Sequence, residues 1–175
     1  MSVRVRPARP DDIEQIVEIG IRGWREGFKD VVPPDLPDPD EMTERIGRRI
    51  GEPGEPVAVA EVDGRLCGWV TFGASRDEDA GPDVGEVYAL NVDPPQWRQG
   101  TGRALVGHAL GRLGRSGFSQ ATLWTLAETP RSRSFYEAVG FTSDGATQRR
   151  QTTGGAVEVR YRIRLSDSPK LRETG

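Results

Sequence analysis

Cysteine and histidine are almost missing from these 175 residues: there is one of each, Cys67 and His108. A lone cysteine excludes an internal disulfide, and with a single histidine it leaves no ligand set for a metal site built from these residues. Long apolar runs are missing too. No stretch reaches the length that spans a bilayer, and no leader-like segment opens the chain, so a cytoplasmic protein with no membrane partner is expected. There is no excess of positive charge: the formal net charge is −3, which argues against a nucleic-acid partner. Most basic residues are arginines spread along the chain, and they read as solvated surface. Two phosphate-binding loops can also be struck out. A P-loop needs Gly-Lys-Ser/Thr, which occurs nowhere, and a dinucleotide loop needs a third glycine where Leu105 stands.

What is present is one organising stretch, residues 84–113. It starts as an alternating strand, Glu86-Val87-Tyr88-Ala89-Leu90-Asn91-Val92, and stops at Asp93-Pro94-Pro95, because proline cannot continue a ladder. A basic glycine-rich turn follows, Arg98-Gln99-Gly100-Thr101-Gly102-Arg103. Then Leu105, Val106, Ala109, Leu110 and Leu113 recur at helical spacing. Strand, glycine turn and helix start make an anion site: glycines admit positive φ, and first-turn N–H groups point at the ligand. Arg98 and Arg103 add guanidinium groups suited to phosphate.

The remainder reads as one domain over 1–165 with a polar tail at 166–175. A short strand at 3–6 precedes a helix with Asp11 as N-cap and Glu14 completing a capping box. That helix carries Ile13, Ile16, Val17, Gly20, Ile21 and Trp24 on one face. A second helix is expected at 41–50. The segment between them, 27–40, holds four prolines and four aspartates and is either a connector or an acidic substrate lid walled by Trp24 and Phe28. Strands at 57–62 and 66–72 flank Asp63-Gly64, a hairpin signal, and with the strand from Val84 they make an antiparallel meander. Cys67 falls in the hairpin as a packing residue. A strand at 121–126 follows the crossover helix and should run parallel to the Val84 strand. Thr129 and Pro130 open a helix as N-cap and first residue, ending at Gly140. Two last strands are expected at 147–152 and 157–165, joined across Gly154-Gly155.

Two motifs carry a resemblance. The loop Trp97-Arg98-Gln99-Gly100-Thr101-Gly102 resembles the acyl-CoA loop of the GNAT N-acetyltransferase superfamily, Gln/Arg-x-x-Gly-x-Gly/Ala, with Trp97 where Gln or Arg is usual. Residues 123–141 resemble the superfamily's closing segment, a strand and then Asn-x-x-Ala-x-x-Phe-Tyr-x-x-x-Gly-Phe. Phe135-Tyr136 and Gly140-Phe141 match, whereas Thr129 replaces Asn and Ser132 replaces Ala. The resemblance implies an α/β (α+β) GNAT fold: a mixed central sheet of about seven strands, helices on both faces, and two central parallel strands splayed after a bulge to hold acyl-CoA. It implies acetyl-CoA as cosubstrate and no metal.

By the same resemblance the backbone of Leu90, Asn91 and Val92 holds the acetyl and pantetheine portion. Residues Arg98, Gln99, Gly100, Thr101, Gly102 and Arg103 hold the pyrophosphate. The Thr129 hydroxyl either replaces the usual Asn contact or only caps its helix. Tyr136 is the expected general acid toward the sulfur. Glu86 is the expected base through water, or else an edge charge or substrate contact, and alternation puts it on one face with Tyr88 and Leu90. Trp124 walls the acceptor pocket or belongs to the core. His108 reads as exposed rather than catalytic. The implied activity is acetyl transfer to a primary amine by direct attack in a ternary complex, and the acidic loop suits a small cationic acceptor. A peptide N-terminus as acceptor and a non-catalytic acyl-CoA sensor are the alternatives, and a homodimer is an expectation that the superfamily offers.

Overall fold

Among the described residues seven strands and four helices follow one another in the order that periodicity and punctuation predict. The computed structural model describes residues 2–33 and 37–165; the expected tail at 166–175 and the middle of the acidic loop, 34–36, lie outside the described residues. In chain order the elements are β1 (Arg4–Pro7), α1 (Ile13–Phe28), α2 (Pro39–Ile50), β2 (Val57–Val62), β3 (Arg65–Ala74), β4 (Val84–Val92), α3 (Thr101–Arg115), β5 (Gln120–Leu126), α4 (Pro130–Ala138), β6 (Thr142–Arg149) and β7 (Val157–Arg164). The strands form one mixed sheet ordered β1-β2-β3-β4-β5-β7-β6. Among the described residues only β4 and β5 pair in parallel, as a strand, crossover helix and strand must.

An apolar cluster lies on each face. Leu105, Val106, Ala109 and Leu113 of α3 pack on Val70, Val87, Ala121 and Leu123. On the other face Ile16 and Ile19 of α1 and Met42 and Ile46 of α2 cover Val57, Val59 and Trp69. Each buried Val, Leu, Ile or Met among them contributes about 1.5–3 kcal/mol, so both helical layers are anchored to the sheet. Cys67 belongs to the α3 cluster, with its thiol donating to the Ala60 carbonyl at 3.4 Å. Burial pushes that thiol up, which fits a packing residue. The His108 ring is edge-on to Phe72, with centroids 6.2 Å apart, so it is a packed ring and not simply an exposed one.

Several boundaries differ from the sequence expectation, and three of the differences have a clear local cause. Residues Pro10–Asp12 form a turn of 3-10 helix, and Asp12 rather than Asp11 stands at the N-cap of α1, without a side-chain cap. Its carboxylate instead accepts from the Arg9 N–H at 2.7 Å and from both terminal guanidinium nitrogens of Arg6 at 2.8 and 3.0 Å. Helix α2 starts at Pro39, because Asp38 caps it by accepting from the N–H groups of Asp40 and Glu41 at 2.8 and 3.0 Å. Proline at the first position loses nothing there, since its N–H would be unpaired in any case. Strand β6 spans Thr142–Arg149, and residues 151–153 form a 3-10 turn instead of strand. A polar edge strand shows no apolar alternation that could mark it.

The feature that positions the site is an extra residue in β4. Phe72 pairs with Val87 but Thr71 pairs with Ala89, so Tyr88 is a β-bulge. Pairing of β4 with β5 is confined to Val84↔Gln120, Gly85↔Ala121 and Glu86↔Thr122. Beyond Glu86 the two parallel strands part. The bulge also resets the alternation: Leu90 and Val92 pack with the α3 cluster, whereas Ala89 packs with the α1 cluster. The expectation that Glu86, Tyr88 and Leu90 share a face therefore fails at Leu90.

Stability should depend on acid through Asp12. Hydrogen bonds from Arg6 hold its carboxyl below the usual carboxylate range. A depressed carboxyl contributes stability that is present above the unfolded pKa, about 3.9, and is lost as pH falls below it. Urea unfolding from pH 7 to pH 3 should show the free energy dropping below about pH 4. Asp12→Asn should cost about 1–3 kcal/mol at pH 7 and make that acid limb shallower.

Candidate active site

Two cavities meet where β4 and β5 part. Phe28, Leu90, Asn91, Ser132 and Tyr136 line both. The first cavity, about 400 Å³, lies between the end of β4, the glycine turn and α4. Its floor is built by backbone conformation. Arg98 has φ 63° and Gly100 φ 88°, two left-handed residues in three, of which only the glycine adopts that region without strain. Gly100 stands at the N-cap of α3 and no side chain caps the first turn, so its N–H groups are open toward an anion. A Cβ on Gly102 would come within 3.1 Å of the Phe135 ring; glycine there lets α4 close against the start of α3.

Of the residues expected to hold acyl-CoA, Leu90, Asn91, Val92, Arg98, Gly100, Gly102 and Arg103 are on this wall. Gln99, Thr101 and Thr129 are not. The Gln99 amide donates to the Pro95 carbonyl at 3.1 Å, and Thr101 is buried beside Cys67 with O and S 4.0 Å apart. Thr129 does stand at the N-cap of α4, but its hydroxyl donates to the Leu126 carbonyl at 2.9 Å and caps nothing. Trp97, the departure from the usual loop, has a structural role. Its indole N–H donates to the Val92 carbonyl at 2.7 Å, and the Arg131 guanidinium lies 3.8 Å over its ring. Arg131 and Phe135 are wall residues that sequence reasoning missed. Both sit in α4, and a charge one residue inside a helix start carries no signal of its own.

The second cavity, about 270 Å³, lies on the α1–α2 side and takes in Trp24, Phe28 and Trp124, all three expected. Trp24 and Phe28 meet edge-on at 4.7 Å. The Trp124 indole N–H donates to Asp77 at 2.9 Å. The same wall includes Arg45, Arg49, Arg76, Arg150, Tyr88 and Glu158, none of them anticipated. Guanidinium groups of Arg49 and Arg76 lie over the Tyr88 ring, 4.2 and 4.3 Å from its centroid. Glu158 is paired to Arg150 at 2.7 Å.

Glu86 is absent from the walls of both cavities. It is 1% exposed, and its two oxygens accept from the Arg76 backbone N–H at 2.9 Å and the Arg76 guanidinium at 2.7 Å. It therefore lies one layer behind the second cavity, under Arg76. Tyr136 is in the opposite situation. It lies on the wall common to both cavities, and its hydroxyl has no hydrogen-bond partner among the described residues. Its ring packs edge-on against Phe135 and Phe141, and burial pushes its hydroxyl above the ordinary value of 10.0. The phenol stays protonated through the whole neutral range.

Among the described residues no group of His, Cys, Asp and Glu side chains is placed to hold a metal ion, and no helix is long and apolar enough to cross a membrane. Comparison with known proteins agrees with the geometry. Residues 20–141 match the profile of the Acetyltransferase (GNAT) family. The chain is 32% identical over 137 residues to the uncharacterized N-acetyltransferase YuaI of Bacillus subtilis, covering 78% of each chain. It is 33% identical over 103 residues to a mycothiol acetyltransferase of Kocuria rhizophila, covering 58% of this chain but only 34% of that one. In fold it is similar to the PaiA N-acetyltransferase of Thermoplasma acidophilum in complex with coenzyme A, with TM-score 0.74, 16% identity, and 93% and 100% of the two chains covered. It is also similar to YncA of Salmonella typhimurium, a putative acetyltransferase with its cofactor acetyl-CoA, with TM-score 0.73, 20% identity, and 95% and 96% covered. On the family match and the extent of the shared sequence, the chain belongs to the GNAT family of acetyltransferases.

Proposed function

We propose that this acetyltransferase moves an acetyl group from acetyl-CoA to the primary amine of a small molecule, by direct attack with both substrates bound. The observation that carries the proposal is the place of Tyr136: an unpartnered, protonated hydroxyl on the one stretch of wall that both cavities share. The first cavity fits the cosubstrate. An unpaired β4 edge beyond Glu86 can bond an extended amide-bearing arm as another strand would. Open first-turn N–H groups of α3, with Arg98 and Arg103, suit a pyrophosphate. When bound there, acetyl-CoA supplies the activated acetyl group as a thioester.

The chain's own residues then have distinct roles. Backbone N–H groups of Leu90–Val92 orient the acyl carbonyl and stabilise negative charge on its oxygen. Tyr136 delivers its proton to the departing sulfur. The amine approaches from the second cavity, held between Trp24, Phe28 and Trp124. Glu86 reaches it only through water, because Arg76 occupies both carboxylate oxygens; its part is that of a proton sink behind the wall.

Two substitutions test this reading separately. Tyr136→Phe should lower kcat about 100-fold with little change in KM for acetyl-CoA, the scale of a lost general acid. Steady-state thiol release would measure it, and unchanged turnover would remove the acid assignment. Arg98→Ala combined with Arg103→Ala should weaken coenzyme A binding at least about 10-fold by calorimetry, since each charge-assisted bond is worth about 1.5–3 kcal/mol. Retained affinity would place the pyrophosphate elsewhere.

A further inference from the structure

We infer that the second cavity is built for an acceptor that carries an anionic group, a carboxylate or a phosphate, in addition to its amine, and that Arg45 and Arg49 of α2 bind that group. The inference rests on the acetyltransferase reading above and names the acceptor class within it.

The distribution of charge on the cavity wall supports it. Four arginines line the wall. Two are already neutralised by buried carboxylates, Arg76 by Glu86 and Arg150 by Glu158, each at 2.7 Å. The other two, Arg45 and Arg49, have no ion pair among the described residues. They are one helical turn apart and so project to the same side of α2. Arg49 lies over the Tyr88 ring at 4.2 Å, which fixes its plane but supplies no carboxylate to its N–H fork. Arg45 is half-buried beside it. Burial, and then the positive charges of Arg49 and Arg76, disfavour its charged state. A guanidinium crowded among guanidiniums gains strongly from a bound anion.

Among the described residues the acidic groups that face this pair are few, and none forms an ion pair with it. Asp38 and Glu41 also line the cavity, at the start of α2. Asp38 caps that helix, and Glu41 is exposed and forms no ion pair with Arg45, although it stands one turn away. Trp24 and Trp69 line this cavity as well, and each keeps a buried indole N–H with no acceptor. These two N–H groups are shielded from solvent, so the donors that the wall itself presents are the guanidinium groups of Arg45 and Arg49. The inference departs from the cationic acceptor expected from the acidic loop: a polycation would meet two unneutralised arginines inside. A positive interior has one further effect, since it lowers the pKa of a nearby ammonium and favours the neutral amine that attacks.

The experiment has two arms on the full chain. In the first, acetyl transfer is measured for matched acceptors, an amino acid against its amide and an amino sugar phosphate against the amino sugar. The anionic member of a pair should be favoured about 10- to 100-fold in kcat/KM, the scale of a charge-assisted bond. Arg45→Gln with Arg49→Gln should bring that ratio close to 1. In the second arm, thermal unfolding is followed with saturating coenzyme A, so that the pyrophosphate loop is filled, while inorganic phosphate or acetate is added against chloride of equal ionic strength. Anion at about ten times its Kd should raise Tm by about 3 °C or more in the wild type and not in the double variant. Arg45→Gln alone serves if the double variant does not fold. The larger response of the two anions decides between carboxylate and phosphate. Amines acetylated without preference for the anionic member, together with an anion response that survives the substitutions, would overturn the inference and leave the acetyltransferase reading standing. An arginine-dependent anion response with no amine acetylated would do the reverse.

Discussion

The structure depends on a broken pairing. β4 and β5 are parallel neighbours that stay bonded for three residue pairs and then separate. Two parallel strands in a twisted sheet do not part without help. Here Tyr88 is inserted opposite β3 at the point of separation, and a bulge bends its strand and adds twist. Helices on both faces then hold the separated halves. On one side α3 packs across β3 and β4. On the other Gly23 of α1 is buried so close to the Val92 carbonyl that an added Cβ would stand 3.3 Å from it. The cleft persists because its walls are clamped by two apolar layers, not because its edges are satisfied.

Leaving a strand edge unpaired has an energetic consequence that the site turns to use. Each backbone group that loses a partner in a partly dry cleft costs about 1 kcal/mol or more. The fold leaves several along Val87–Val92, and a ligand with alternating amide donors and acceptors recovers that cost on binding. The Trp97 indole removes one of them by donating to the Val92 carbonyl. The rest of the open edge lies nearer the bulge, beside Tyr136, which is where acyl chemistry would occur. Affinity and position thus come from one defect in the sheet.

The order of elements is legible because it is written in local signals. Asp63-Gly64, Pro94-Pro95, Gly100, Pro130 and Gly154-Gly155 punctuate runs whose period is plainly two or plainly three to four, and the order read from them agrees with the observed one. The bulge is not legible as a phase shift. An inserted residue with good strand propensity looks like any other, so simple alternation puts Leu90 on the wrong face. Polar β6 has no alternation to find. Along the site, Arg98, Gly100, Gly102 and Arg103 can be read, since the glycine turn itself marks them, although Gln99 and Thr101 of the same turn face elsewhere. Arg45, Arg49, Arg76 and Arg131 cannot: their sequence neighbourhoods are those of ordinary solvated charges, and only tertiary folding brings α2, β4 and α4 to one cleft.

That last failure shows how net charge misleads about a site. A chain at −3 gives no hint of a cavity lined by four guanidinium groups, because charge summed over the chain says nothing of where each charge faces. Buried acids do the sorting. Glu86 and Glu158, 1% and 3% exposed, come from strands on either side of the parting and each ties down one arginine. Two pairs are fixed in this way as structure, and the remaining two guanidiniums are left with hydrogen-bonding capacity that the fold does not use. The carboxylate that looks like a base from its place on the central strand is committed first to Arg76. By holding that arginine against Tyr88, it keeps the bulged ring, the arginines over it and the open edge beside it in one arrangement.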